Sequence, residues 1–123
     1  MTNLTVSLPY PHGDLTPNGR RHYRVVAKLR AEAKSDGANC ARVALNSRPS
    51  PFSPDDTLRA LVTFCPPTNR RRDLDNVFSG CKPALDGVCA ALGVDDSRIQ
   101  RATLQWGEKV KGGEVVVVIE KAD

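Results

Sequence analysis

Leu4, Val6 and Leu8 alternate with Thr5 and Ser7, a period-two pattern that predicts a strand ending at Pro9 and Pro11. The next stretch, "HGDLTPNGRRHYR", is rich in turn formers and reads as a loop, with Thr16-Pro17-Asn18-Gly19 as its turn. From about Arg20 to Lys34 the pattern becomes helical. Val25, Val26, Leu29 and Ala33 make one face, while Arg21, Arg24, Lys28 and Glu32 lie mainly on the other. Gly37 is a natural stop for that helix. A short strand is expected through Ala41 to Leu45, then a Pro/Ser loop from Ser47 to Pro54.

Thr57 to Phe64 is the clearest central strand, with Leu58, Ala60, Val62 and Phe64 pointing one way and Thr57, Arg59, Leu61 and Thr63 the other. After Pro66-Pro67 and three arginines comes the best helix. Val77, Cys81, Ala84, Leu85, Val88, Cys89 and Leu92 recur at three- and four-residue steps, and Gly93 ends the run. Pro83 interrupts it and is expected to bend or break it. Two last strands, about Arg98 to Val110 and Glu114 to Lys121, are expected to meet in a hairpin at Lys111-Gly112-Gly113. The resulting order, β-α-β-β-α-β-β, indicates a mixed α/β or α+β domain with two main helices packed on one mixed sheet.

Size and composition narrow the function. The 123 residues suit a single domain spanning residues 1–123. No run approaches the length of a membrane span, and no basic segment followed by an apolar stretch marks a signal peptide. A cytoplasmic protein is therefore expected, with Cys40, Cys65, Cys81 and Cys89 reduced. They form no CxxC or Cys/His spacing, so neither zinc nor a disulfide framework is suggested. Lys and Arg outnumber Asp and Glu by 18 to 14, a net +4 that hints at a polyanionic partner.

The chemistry concentrates between Arg70 and Asp96. "RRRDLDN" sets Arg70, Arg71 and Arg72 directly before Asp73 and Asp75. In an extended segment, residues two apart project to the same side, so both carboxylates can share one face. Carboxylates that close repel, and a divalent cation with a taste for hard oxygen ligands removes the penalty. Asp95-Asp96 adds a second pair just past the helix end. Carboxylate-held metal beside arginines describes a phosphodiester-cleaving site: the metal activates water and stabilises the departing oxygen, and the arginines hold phosphate. The plain structural alternative is that Asp75 or Asn76 caps a helix and Asp95-Asp96 makes a turn. Arg70, Arg71 and Arg72, together with Arg20, Arg21 and Arg24 around the first helix, are the candidate DNA contacts. His22 and Tyr23 are read as shaping their loop, and Trp106 as core or interface.

"RRRDLDN", then "KPALDG", then "ALGVDDSRI" resembles the RusA family of Holliday junction resolvases, small Mg²⁺-dependent endonucleases often carried by phages. The resemblance implies that Asp73 and Asp75 are catalytic metal ligands, that Asp96 is the third essential acid, and that Asn76 and Asp95 support them. It also implies a functional lysine, usually four residues beyond the second aspartate of DxDN. That position is Ser79 here, and the role is assigned to Lys82, which stands three residues on and on nearly the same helix face. The implied activity is paired nicking of four-way junctions in recombination and repair, leaving 5′-phosphate ends. Mg²⁺ is the cofactor, with Mn²⁺ able to substitute. The implied setting is a homodimer in the cytoplasm of a bacterial or phage-infected cell, with no membrane partner.

Helix length adds a constraint. A straight helix from Asn76 to Leu92 separates its ends by roughly 25 Å, so Asp73 and Asp75 cannot share a metal with Asp96 unless Pro83 folds the chain back or a second subunit supplies Asp96. A two-fold dimer with antiparallel helices makes two composite sites. Two other readings stay open: a non-catalytic nucleic-acid-binding protein, and a nuclease of broader branched-DNA specificity.

Overall fold

The alternation at the start of the chain folds as β1 (Asn3–Leu8), which buries Leu4, Val6 and Leu8 and exposes the residues between them. In the computed structural model, which describes residues 3–15, 22–70 and 72–122 (without the side chain of Asp14), a short 3₁₀ turn over Gly13–Leu15 follows. Next come α1 (Tyr23–Leu45) and β2 (Leu58–Cys65), then α2 (Leu74–Leu92), a second 3₁₀ turn (Asp96–Arg98), β3 (Ile99–Trp106) and β4 (Glu114–Lys121). The expected turn over Thr16-Pro17-Asn18-Gly19 lies outside the described residues.

The expected α+β architecture is present, with one mixed sheet of four strands and two helices. The strands run in the order β1-β4-β2-β3. Because β4 is antiparallel to both β1 and β2, and β3 is parallel to β2, the first three strands all point one way. Leu8, Val115, Phe64 and Trp106 lie level across the sheet, so the carboxyl ends of β1, β2 and β3 form one edge of the molecule. Leu58, Ala60, Val62 and Phe64 bury against the helices as their alternation predicts, beside Val115, Val117 and Ile119 of β4.

Three expectations are corrected. Ala41 to Leu45 is not a strand but the last turns of α1, in helical phase: Ala41 and Leu45 are buried while Val43 is 79% exposed. A run this short fits either period, and packing on α2 selects the helix. Gly37 does not end α1; Asn46 does, in the left-handed conformation with φ 51°. Nor does Pro83 break α2, which is continuous over 19 residues.

The final two strands do not form a hairpin either. Lys111-Gly112-Gly113 does turn, at φ 80° and 76° for the glycines, but the chain then passes the end of β2 and inserts β4 between β2 and β1. The Gly107 and Val110 amides donate to the Phe64 and Pro66 carbonyls as it crosses, at 2.8 and 3.0 Å. Composition explains the choice. "VVVVI" in β4 is apolar on both faces and belongs between two strands, whereas "IQRATLQW" in β3 is largely polar and tolerates the edge.

The helices meet through glycine. A Cβ at Gly37 would collide with the Ala84 carbonyl of α2, and one at Gly87 with the Lys34 carbonyl of α1. Glycine in a helix interior costs about 0.5–1 kcal/mol relative to alanine. That cost is offset here by backbone approach that no side chain permits. None of the described helices is long and apolar enough to cross a membrane.

Gly37→Ala and Gly87→Ala are each expected to destabilise the fold by about 3 kcal/mol, the upper range for overpacking against backbone that cannot move aside. Chemical denaturation checks this, and midpoints equal to wild type would show that the helices are free to separate.

Candidate metal and nucleic-acid site

The loops that leave the carboxyl ends of β1, β2 and β3 gather around the N-terminus of α2, where ligands of open parallel sheets commonly bind. Asp73 is the N-cap of α2. Its backbone is extended (φ −94°, ψ 123°), and its Oδ1 accepts the Asp75 amide at 3.1 Å. Asp75 stands in the first helical turn, so only one of the two residues is extended. The shared-face expectation drawn from strand periodicity does not describe them. Both carboxylates are exposed at the positive end of the helix dipole. Asn76, beside them, is half-buried.

Arg72 shapes the approach to this helix. Its Nη1 donates to the Thr68 and Arg70 carbonyls at 2.9 and 2.6 Å, and its Nη2 to Thr68 Oγ1 at 2.6 Å. The guanidinium also stands 5.9 Å from the centre of the Tyr10 ring. Arg72 thus ties its own loop together and docks it on the residue that follows β1. Arg70 is exposed in the same loop, free to meet a phosphate. Tyr10 is held from its other side by the Gly113 turn, where a Cβ would strike the Tyr10 side chain. Its hydroxyl is buried without a hydrogen-bond partner, and burial raises its pKa against the opposing pull of Arg72 and Arg70.

Lys82 lies two turns beyond Asp75, about 10 Å along the axis, and its ammonium sits 5.6 Å from the centre of the Phe78 ring. Ser79 occupies the intervening turn. In the first turn of α1, Arg24 packs over exposed Tyr23 at 5.9 Å. His22 caps that helix, its Nδ1 accepting the Arg24 amide at 3.2 Å. Arg20, Arg21 and Arg71 lie outside the described residues.

Asp95 and Asp96 are at the opposite end of α2. Asp95 accepts the Ser97 amide at 2.9 Å, and its bonds to Ser97 hold its carboxyl below the usual range. Asp96 is pushed up, first by sharing a proton with Asp95 and then by the nearby Asp86 carboxylate. Asp86, one turn and a half before the helix end, is a member of this acidic group that the sequence reading passed over. Its only signal was a spacing that sets it near the capping turn. Burial, with these carboxylates adding to it, pushes the nearby Cys89 thiol up to about 11, and burial alone pushes Cys81 farther up the helix to about 12.

Nineteen helical residues put about 28 Å between the two acidic ends. With α2 unbroken at Pro83, the chain does not fold back to unite them. Among the described residues no group of three or more His, Cys, Asp or Glu is placed to hold a metal. Asp73 and Asp75 are the two exposed carboxylates at this end of α2, a number within the one or two that a protein commonly offers Mg²⁺.

Fold and site together define a small two-layer α+β protein with an acidic helix N-terminus at the carboxyl edge of its sheet. The chain belongs to the same family as an "Uncharacterized protein" of Xylella fastidiosa, to which it is 35% identical over 115 residues, 94% of this chain and 74% of that one. No protein-family model matches it. Among solved structures, PurLQS from Thermotoga maritima aligns at a TM-score of 0.39 with 15% identity, over 98% of this chain and 18% of that one. AaThiL complexed with AMPPCP and TMP aligns at 0.37 with 10% identity, over 98% and 32%. The chain spans less than a third of either, and likeness at that level carries no functional argument.

Asp86→Asn is expected to lower the pKa of Asp96 by removing a neighbouring negative charge, while leaving Asp95 low through its bonds to Ser97. Carboxyl-carbon NMR titration reads both, and an unmoved Asp96 would show that the two side chains do not interact.

Proposed function

We propose that this chain is a RusA-type, Mg²⁺-dependent endonuclease that acts as a cytoplasmic homodimer on four-way junctions and other branched DNA. The observation that carries this reading is the pair of exposed carboxylates, Asp73 and Asp75, presented at the N-terminus of α2 on a loop braced by Arg72. A purely structural cap needs one such group. Asp75 is engaged in no ion pair among the described residues, and Arg70 is exposed in the loop that leads into the same helix.

Asp73 and Asp75 would hold the cation through their outward oxygens. When bound, it neutralises charge on the scissile phosphate and acidifies the attacking water. Arg70 steadies the flanking phosphate and Arg72 keeps the loop in place. Lys82 reaches back toward the same end of the helix, the direction in which helical side chains lean. Two symmetric nicks require two such sites, and the unbroken α2 favours a composite one. Antiparallel α2 helices across a two-fold axis would bring Asp96 of each subunit to Asp73 and Asp75 of the other, with the helix dipoles opposed.

A non-catalytic nucleic-acid binder is the second reading, favoured by the cap geometry of Asp73.

The two part in a single experiment on a synthetic four-way junction. The nuclease reading expects Mg²⁺-dependent nicking that chelation abolishes. It also expects nicking to fall more than about a hundredfold in Asp75→Asn, beyond the loss typical of groups that only support a metal ligand, while junction binding persists. Binding without cleavage in any divalent metal would establish the binder instead. Mixing Asp75→Asn with Asp96→Asn subunits is expected to restore about one working site per heterodimer, and inactivity of every mixture would exclude the shared arrangement.

A further inference from the structure

Charge on α1 is sorted by side. Glu32 and Asp36 face a hollow shared with Tyr10 and His12, on the flank toward the N-terminal segment. Arg30 and Lys34 face the other way, into an open groove of about 400 Å³ between α1 and α2, where Ser79, Lys82 and Asp86 form the opposite wall. Three cations thus face one carboxylate. Among the described residues none of the three cations takes part in an ion pair. Arg30 and Lys34 are four residues apart, a like-charge spacing that costs an isolated helix a few tenths of a kcal/mol. Water dilutes that repulsion, and a polyanion lying between the helices reverses it.

The groove has a direction. Ser79 stands one turn from Asp75, about 6 Å along α2, so the groove opens toward the candidate metal site. At this same end Arg30 is shared with a shallow hollow bounded by Tyr23, Val26 and Ala27, and Tyr23 is 69% exposed. Cations spaced along a channel with an exposed aromatic ring past its mouth suit a nucleic-acid strand better than a compact anion. Spaced charges track successive phosphates, and an exposed ring can stack on a base.

We propose that the α1–α2 groove is the track for the phosphate backbone of one DNA strand, held by Arg30 and Lys34 and delivered to the acidic end of α2. This rests on the reading that the chain acts on branched DNA, and it adds residues outside the arginine loop to the binding surface. Each cation displaces about one counterion from the DNA.

The test is equilibrium binding of a labelled four-way junction in EDTA, followed by anisotropy across a range of KCl concentrations. Arg30→Ala/Lys34→Ala is expected to weaken binding at least tenfold near 0.1 M salt and to reduce the slope of log K against log[salt] by about two. Lys28→Ala/Arg42→Ala removes the same charge from exposed positions outside the groove and is expected to change the slope by less than half as much. Equal losses in both pairs, or none in the groove pair, would overturn the track while leaving the nuclease reading intact. A wild-type protein that binds no junction at all would overturn both. Circular dichroism melting of each variant shows that the comparison is between folded proteins.

Discussion

The contact on which the rest of the molecule depends is the one between α1 and α2 at Gly37 and Gly87. Each glycine lies against a main-chain carbonyl of the other helix, Ala84 for one and Lys34 for the other. No residue with a Cβ fits either place. Two helices held backbone to backbone present a single continuous underside, and Ala41, Val77, Cys81, Val88 and Leu92 from that underside join Val62, Phe64, Val117 and Ile119 in one core. The same closeness sets what the outer surface looks like. It fixes the distance between the Arg30–Lys34 side of α1 and the Ser79–Lys82 side of α2, and so the width of the groove between them.

The sheet imposes the second constraint. With β1, β2 and β3 parallel, the connections that follow them emerge at one edge, and Tyr10, Arg72 and Gly113 come together there although they are far apart in sequence. The stacking of Arg72 on Tyr10 and its bonds to Thr68 and Arg70 give the loop before α2 a defined path. Asp73 and Asp75 inherit their placement from that path. The acids at the other end of α2 answer to a different set of contacts: Arg98 donates to the Asp55 and Asp56 carbonyls, which anchors the turn carrying Asp95 and Asp96 to the start of β2. One rigid helix holds the two groups apart, so any chemistry that needs both needs two chains.

Much of the architecture was legible from local pattern. The alternations of β1 and β2 named their buried faces residue by residue, the periodicity of α2 named its core side, and Gly93 marked its end with φ 73°. The site was partly legible too. DxDN before an apolar helical run marked the exposed acidic end of α2, and the length of that run already forbade a one-chain cluster with Asp96. Other features were hidden because they depend on partners distant in sequence. Gly37 looked like a terminator until the Ala84 carbonyl supplied a reason for a glycine within a helix. Asp86 carries no mark of its own in the sequence, because it is the turn after α2 that brings Asp96 to it. Arg72 read as a phosphate contact, while its donors meet the chain's own loop.

By itself, then, the sequence determined what depends on neighbours along the chain: the type of nearly every element, the faces that β1, β2 and α2 bury, and the positions of the two acidic pairs. On α1 the expected Val25, Val26, Leu29 and Ala33 are not fully buried; the residues buried there are Gly37, Ala41 and Leu45. The tertiary structure decided what depends on competition between elements. It chose helix over strand for Ala41 to Leu45, because α2 offered that segment a packing surface. It placed β4 between β1 and β2 rather than in a hairpin, because an apolar strand gains most where both its edges are paired. It also turned four scattered charges on α1 into two opposed faces, since only the position of α2 distinguishes the groove from the rest of the helix surface.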